Sequence, residues 1–172
     1  RYDRQAGSKQ HVLTASGLTG WDFKKPEDSS YENLFKLALD LKVPYRDMVQ
    51  LFRRMVFNVI YANTDDHLKN HSFIYQEEND FWELAPAYDI TYPLNVNLNY
   101  SKVSRALSIN GKRSEILLED LMSVAETHAI RNAKGIIEEV QSAGSDWEEI
   151  TNDLKIPVDV TEAILGEFSE MI

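Results

Sequence analysis

Apolar residues recur at helical spacing from about residue 31 to residue 62. The spacing predicts a first helix over residues 31–42, for which the run Asp28-Ser29-Ser30 offers capping side chains. Pro44 suits the first turn of a second helix, which we expect to reach about Ala62. A wide apolar stripe predicts that this second helix is the most buried one in the chain: Met48, Leu51, Phe52, Met55, Val56, Val59 and Ile60.

Three segments lack this periodicity. Residues 1–30 are punctuated by glycine and proline, and we predict that they are mostly irregular. Residues 86–99 and 100–113 are predicted to be loops. The second of them ends in Asn110-Gly111, a pair that favours a tight turn.

Two short strands are predicted after the second helix, at residues 72–75 and 81–84, and the turn at 76–80 would join them as a hairpin. Helical periodicity returns from Ser114 onward. Four helices are predicted there, with Asp159 as the cap of the last: residues 116–128, 131–143, 145–154 and 159–171. The predicted fold is therefore mainly α (α+β), a helical bundle with one short β-hairpin.

Composition narrows the class of protein. The chain has 172 residues, of which 43% are hydrophobic, enough for one domain with its own core. It contains no cysteine, which excludes disulfide bonds and thiolate chemistry. No apolar run approaches the ~18 residues that a bilayer span requires, and no signal peptide is visible. We therefore expect a cytoplasmic location and no membrane partner.

The net charge of −10 bears on possible partners. Nucleic-acid phosphates are neutralised by lysine and arginine, so this chain alone is not expected to bind nucleic acid directly. The acidic excess lies mainly in the second half, for example at Glu138-Glu139 and over residues 146–149. Such runs are most simply interpreted as a solvated acidic surface.

The polar segment between the second helix and the hairpin carries the candidate chemistry. Asp65 and Asn70 have the Asp-x-x-x-x-Asn spacing of a kinase catalytic loop, in which the carboxylate is the base and the amide oxygen binds Mg²⁺. Asp89 follows the hairpin and could supply a second metal-binding oxygen, although Ile90 replaces the usual Phe-Gly. Alternatively, Asp65 and Asp66 merely cap the helix region and Asn70 lies in a turn.

Other metal sites fit the sequence poorly. The spaced acidic residues, the glycine and the final glutamate of an EF-hand are absent. The four histidines lack zinc-ligand spacing, and there is no cysteine to join them.

The sequence resembles the C-terminal domain of HipA-type serine/threonine kinases, the toxin half of bacterial toxin–antitoxin pairs. The resemblance covers roughly residues 1–125, and residues 108–112 add weaker support. It rests on four stretches: Arg1-Tyr2-Asp3-Arg4, residues 9–15, residues 63–73 and residues 85–90. It implies one protein-kinase-like C-terminal lobe over residues 1–172, in which 1–4 end the interlobe hinge, 63–91 carry the catalytic loop, hairpin and metal-binding segment, and 114–172 form a helical part.

The resemblance also implies residue roles. Asp65 resembles the catalytic base, and Asn70 and Asp89 resemble the Mg²⁺ ligands. His67, Lys69 and Tyr88 are expected on the phosphate side of an ATP-binding cleft. At the hinge, Tyr2 would offer backbone groups to adenine and Asp3 its carboxylate to ribose.

The function that this resemblance implies is transfer of the γ-phosphate of ATP, with Mg²⁺, to a protein hydroxyl. The expected partners are a protein substrate, an antitoxin and the N-terminal kinase lobe, which carries the phosphate-gripping loop. Because the chain starts at Arg1 rather than Met, we expect it to be a piece of a longer protein. We expect this piece to be inactive alone, because the phosphate-gripping half of the cleft would be missing. Two alternatives stay open: a non-catalytic module that binds an antitoxin or substrate, and a small-molecule kinase on the same scaffold.

Overall fold

A computed structural model describes residues 3–5, 7–93, 104–169 and 171. The two predicted N-terminal helices are present as α2, Tyr31–Asp40, and α3, Tyr45–Ile60. Ser30 caps α2 as predicted, since its hydroxyl accepts a hydrogen bond from the Asn33 amide at 3.0 Å. Helix α3 is the centre of the core, and Phe52, Met55 and Val56 on it are completely buried.

The sheet has one strand more than the predicted hairpin. The hairpin itself is confirmed as β4, Ser72–Gln76, and β5, Phe81–Leu84, which pair antiparallel. A third strand, β3 at His11–Thr14, pairs antiparallel with β4 and places Leu13 opposite Phe73. The strand order is β3-β4-β5.

The prediction that residues 1–30 are mostly irregular is therefore wrong in part. Besides β3 they contain a two-stranded ribbon of β1, Arg4–Gln5, and β2, Ser8–Lys9, and a short helix α1, Ala15–Thr19. None of these elements exceeds five residues, which is too short for a periodic pattern. The partner of β3 lies about sixty residues away, so no local signal marks it.

The four predicted C-terminal helices are confirmed, and each is shorter than predicted: α4 Leu118–Thr127, α5 Ala133–Ser142, α6 Trp147–Asp153 and α7 Val158–Leu165. The prediction is least accurate for α7, which ends at Leu165 and not at residue 171. A 3₁₀ turn over Ala143–Asp146 leads into α6. Asp159 does not cap α7, because Pro157 occupies the cap position and Asp159 lies in the first turn. Helix α3 packs against both α2 and α5, which joins the two halves of the bundle.

The predicted loops fall partly on residues 94–103, which lie outside the described residues. The described parts, 86–93 and 104–113, contain no helix and only isolated bridges. Asn110 and Gly111 both have positive φ, 49° and 75°, and Ile109 bridges Lys112 across them, which confirms the tight turn. Within the described ranges, no helix combines the length and the apolarity that crossing a bilayer requires.

Candidate active site

The Asp65–Asn70 loop is held between α3 and β4. Leu68 begins a 3₁₀ turn that ends at Asn70, and its side chain is completely buried in the core. The carbonyl oxygen of Asp65 accepts two hydrogen bonds, one from the His67 amide at 3.0 Å and one from Asn70 Nδ2 at 2.9 Å. Asn70 is thus tied directly to the backbone of Asp65, which fixes the distance between the two predicted site residues.

The Asp65 carboxylate faces solvent. Its side chain is 61% exposed, and its Oδ1 lies 4.0 Å from Nε2 of His67. A carboxylate in this position is accessible to a second molecule, which a base that accepts a proton from a substrate hydroxyl requires.

His67 and Lys69 share a neighbour that the sequence did not single out. The His67 ring meets the ring of Phe23 edge-on with centroids 5.4 Å apart, and Lys69 Nζ lies 3.8 Å from the Phe23 centroid. A cation at this distance is attracted by the negative face of the ring. Phe23 therefore helps to hold Lys69 beside the loop, and the signal was missed because residues 1–30 carry no periodicity.

Tyr88 joins the segment after the hairpin to the loop before it. Its hydroxyl donates a hydrogen bond to the Lys69 carbonyl and lies 2.6 Å from Ser72 Oγ. Arg54 of α3 donates to the carbonyl oxygen of Ala85 in the same segment. The segment that carries Asp89 is therefore fixed to β4 and to the core helix.

Asn70 and Asp89 line the same small cavity. Asp89 is exposed and has a φ of 55°, a left-handed conformation that aspartate tolerates better than most residues. Because Asn70 uses its Nδ2 on Asp65, its Oδ1 stays available as an acceptor. Both side chains carry hard oxygen donors of the kind that Mg²⁺ prefers, and phosphate oxygens and water would have to complete the shell of such an ion.

The remaining predicted residues lie away from this cavity or beyond the described part of the chain. Tyr2 and Arg1 fall outside the described residues. Asp3 lies in the turn before β1, where its carbonyl accepts from the Gln10 amide at 2.9 Å. Among the described residues, no group of three or more histidine or acidic side chains could hold a metal.

A buried polar network beneath the loop was not predicted. Asp66 is 1% exposed and Arg105 6%, and Arg105 Nη2 donates to Asp66 Oδ2 at 3.1 Å. The Tyr31 hydroxyl donates to the same oxygen at 2.8 Å. From the sequence alone, Asp66 was considered only as a possible capping residue.

His71, directly after the loop, is buried and edge-on to Tyr31. Burial lowers the pKa of its imidazole to about 3, and the Arg54 guanidinium acts in the same direction. The backbone of Asp66, which favours the charged form, offsets only part of this. The lowered pKa therefore keeps the His71 imidazole neutral in the folded protein around neutral pH.

This shift predicts acid sensitivity. The unfolded chain protonates His71 near pH 6.5 whereas the folded chain does so near pH 3, so the free energy of unfolding decreases as the pH falls between these values. We expect His71 to account for a loss of about 2 kcal/mol between pH 7 and pH 5. Urea unfolding at both pH values, with EDTA present, measures it, and His71→Leu should remove this part of the loss. A variant with an unchanged pH dependence would contradict the assignment.

Comparisons with known proteins match most of the chain. A family profile described as HipA-like C-terminal domain matches residues 1–147. The protein "Putative kinase Y4dM" of Sinorhizobium fredii is 25% identical over 171 residues, which cover 95% of this chain and 41% of that protein. The HipA, HipB and operator DNA complex of the Shewanella oneidensis MR-1 toxin–antitoxin system contains a similar chain, with a TM-score of 0.72 and 19% identity over 97% of this chain and 46% of that one. The chain thus spans less than half the length of these relatives.

Proposed function

Because this chain belongs to the HipA-like C-terminal domain family, we propose that it is the C-terminal lobe of an ATP- and Mg²⁺-dependent protein kinase. The observation that carries the proposal is the position of Asn70. Its side chain is bonded to the backbone of Asp65 and lines the cavity that Asp89 also lines. A base and two metal-binding oxygens around one loop are the parts that phosphoryl transfer requires of this lobe.

Each residue of the loop has a role in this proposal. The Asp65 carboxylate orients the acceptor hydroxyl and takes its proton while the new bond between the hydroxyl oxygen and the γ-phosphorus forms. The bond between the γ-phosphorus and the bridging oxygen breaks in the same step, and ADP leaves with that oxygen. Asn70 and Asp89 would hold the metal, which would neutralise charge on the phosphates. His67 and Lys69, steadied by Phe23, stand beside the loop and offer donors to the phosphates. The acceptor class we propose is a serine or threonine hydroxyl of a protein.

The remaining half of the cleft is proposed to come from outside these residues. The chain spans 41% of the Sinorhizobium relative and 46% of the Shewanella chain. The Shewanella structure holds HipA together with HipB and operator DNA. By analogy, we propose an antitoxin partner and an N-terminal lobe for this protein. The acidic net charge of −10 makes direct DNA binding by this lobe unfavourable.

The isolated 172-residue chain is expected to transfer less than about 1% of the phosphate that the complete protein transfers. Positioning and charge neutralisation must come from both sides of the phosphates, and one side is missing here. Radiolabelled ATP with Mg²⁺ measures transfer to protein serine and threonine, and EDTA should abolish it.

Three results would count against the proposal in different ways. If the isolated chain were as active as the complete protein, the nucleotide site would lie elsewhere than proposed. If the complete protein bound ATP and phosphorylated only small molecules, the chain would be part of a small-molecule kinase. If the complete protein bound an antitoxin but neither bound ATP nor transferred phosphate, the chain would be a binding module.

A further inference from the structure

Asp65 and Asp66 are neighbours with opposite environments. The side chain of Asp65 is 61% exposed, and that of Asp66 is fully shielded from solvent. The buried carboxylate accepts three hydrogen bonds, and these come from two distant parts of the chain. The donors are the Tyr31 hydroxyl at 2.8 Å, Arg105 Nη2 at 3.1 Å and the Leu107 amide at 3.4 Å. A buried charge with a cation and further donors around it is satisfied where an isolated one would be very costly.

The donors are themselves anchored in the core. Tyr31 is the first residue of α2, and its hydroxyl also accepts from Nδ2 of Asn58 on α3 at 2.9 Å. The Asn58 side-chain oxygen accepts from Asn63 Nδ2 at 3.0 Å, which returns the chain of bonds to the start of the loop. The Asp66 carboxylate is therefore connected to both N-terminal helices.

Residues 105–107 form a segment that also binds this loop. Arg105 Nη2 also donates to the Asn63 carbonyl at 3.2 Å, and the Ala106 amide donates to the Thr64 carbonyl at 2.8 Å. Together with the bonds from Arg105 and Leu107 to the Asp66 carboxylate, residues 63–66 accept four hydrogen bonds from this segment. Nη2 of Arg105 donates two of them, one to the Asn63 carbonyl and one to Asp66.

We propose that Asp66, held by Arg105 and Tyr31, is a positioning residue that fixes the direction of Asp65 and the place of Asn70. The hydrogen bonds of the buried carboxylate anchor residue 66 to the core. The carbonyl of the preceding residue, Asp65, accepts from Asn70 Nδ2 and from the His67 amide. Both sets of bonds restrain the backbone that joins Asp65 to Asp66. The effect on catalysis rests on the proposed function, whereas the effect on the loop does not.

The chain offers a matched control in Asp120. This carboxylate is also 1% exposed, and it also accepts from a cation, a side chain and a backbone amide. Its donors are Lys112 Nζ, Asn110 Nδ2 and the Leu117 amide, all at 2.9 Å. Asp120 holds the Asn110-Gly111 turn against the start of α4 rather than the site loop. Replacing either carboxylate by an amide removes one of the two acceptor oxygens and puts an NH₂ group in its place, so at least one donor loses its acceptor.

Hydrogen exchange in the complete protein tests the effect on the loop. The amides of His67 and Asn70 are the reporters, because both are bonded within the loop. We expect Asp66→Asn to speed exchange over residues 63–71 about tenfold relative to the rest of the chain. Asp120→Asn should speed exchange around residues 110–120 instead. Equal exchange of residues 63–71 in the two variants would overturn the proposal.

Kinetics of the same variants test the effect on catalysis. Per bound ATP, Asp66→Asn should lower kcat about 10²-fold, because small misplacements at a reacting centre have effects of that size. Asp120→Asn should change kcat per bound ATP less than about threefold, since normalising to bound ATP removes losses from unfolded molecules. Equal kcat values in both variants would overturn the catalytic part. Absence of phosphoryl transfer by the complete wild-type protein would contradict the proposed function. The hydrogen-exchange experiment would still show whether Asp66 fixes the conformation of the loop.

A milder variant covers the case in which Asp66→Asn does not fold. Tyr31→Phe keeps the buried ring and removes one of the three donors to Asp66. It should speed exchange over residues 63–71 in the same direction by a smaller factor, about threefold. Unchanged exchange there in Tyr31→Phe, together with failure of Asp66→Asn to fold, would assign Asp66 to the general stability of the core and overturn the proposal.

Discussion

Asp65→Asn in the complete protein is expected to lower phosphoryl transfer by about 10²–10⁴-fold, the contribution that general base catalysis typically makes. The change keeps the size of the side chain and removes the charged, proton-accepting oxygen. The fold should be spared, because the side chain is 61% exposed and its backbone carbonyl, rather than its carboxylate, binds Asn70. Single-turnover transfer from radiolabelled ATP measures the loss, and the thermal midpoint reports the fold.

Asp40→Asn is the matched control for this experiment. Asp40 is an exposed aspartate at the end of α2, where replacing a negative charge by an amide is slightly favourable because of the helix dipole. Asp66 is unsuitable as a neutral comparison, since it is buried and ion-paired. If Asp40→Asn lowered transfer as much as Asp65→Asn does, the loss would reflect overall charge, and Asp65 would no longer be the base.

Leu51→Ala is expected to lower the free energy of unfolding by about 2–5 kcal/mol, the usual range for a buried leucine that leaves a cavity. Leu51 lies on α3 and is 1% exposed, in the cluster that joins α3 to its neighbours. Such a loss is a large fraction of the stability of an ordinary domain. Urea denaturation monitored by circular dichroism measures it.

Leu39→Ala provides the same chemical change at the surface. Leu39 lies on α2 and is 55% exposed, so its truncation should change the free energy of unfolding by no more than about 0.5 kcal/mol. If Leu51→Ala lowered the free energy of unfolding no more than Leu39→Ala does, α3 would not be the centre of the core.

The helices could be predicted from the sequence because their signal is local. Every helix from α2 to α7 repeats its apolar residues within one or two turns, and capping by Ser30 added a start signal. Their ends were displaced by a few residues, as at Asp159, because a cap depends on backbone geometry. Strand β3 was missed because four residues whose partner is remote have no local signal.

Part of the candidate site could likewise be predicted from the sequence, and part could not. The proximity of Asn70 to Asp65 and to Asp89 was predictable, because one loop and one hairpin separate them, whereas their roles in catalysis stay predictions. The opposite exposures of Asp65 and Asp66 could not be predicted, since alternation identifies a buried face only in a regular element. The parts played by Arg105 and Phe23 depend on contacts across about forty residues each, which no motif in a single sequence records.

The pairing of β3 with β4 has a consequence for the order of folding. β4 begins two residues after the site loop ends, and the Ala15 amide bonds to the His71 carbonyl at the same edge. Closing a connection of about sixty residues has a substantial entropic cost before its contacts can repay it. Helices α2 and α3 can therefore form early, whereas the strand that borders the loop docks late. During synthesis β3 emerges before β4, and the two strands cannot pair until the chain about sixty residues downstream has left the ribosome.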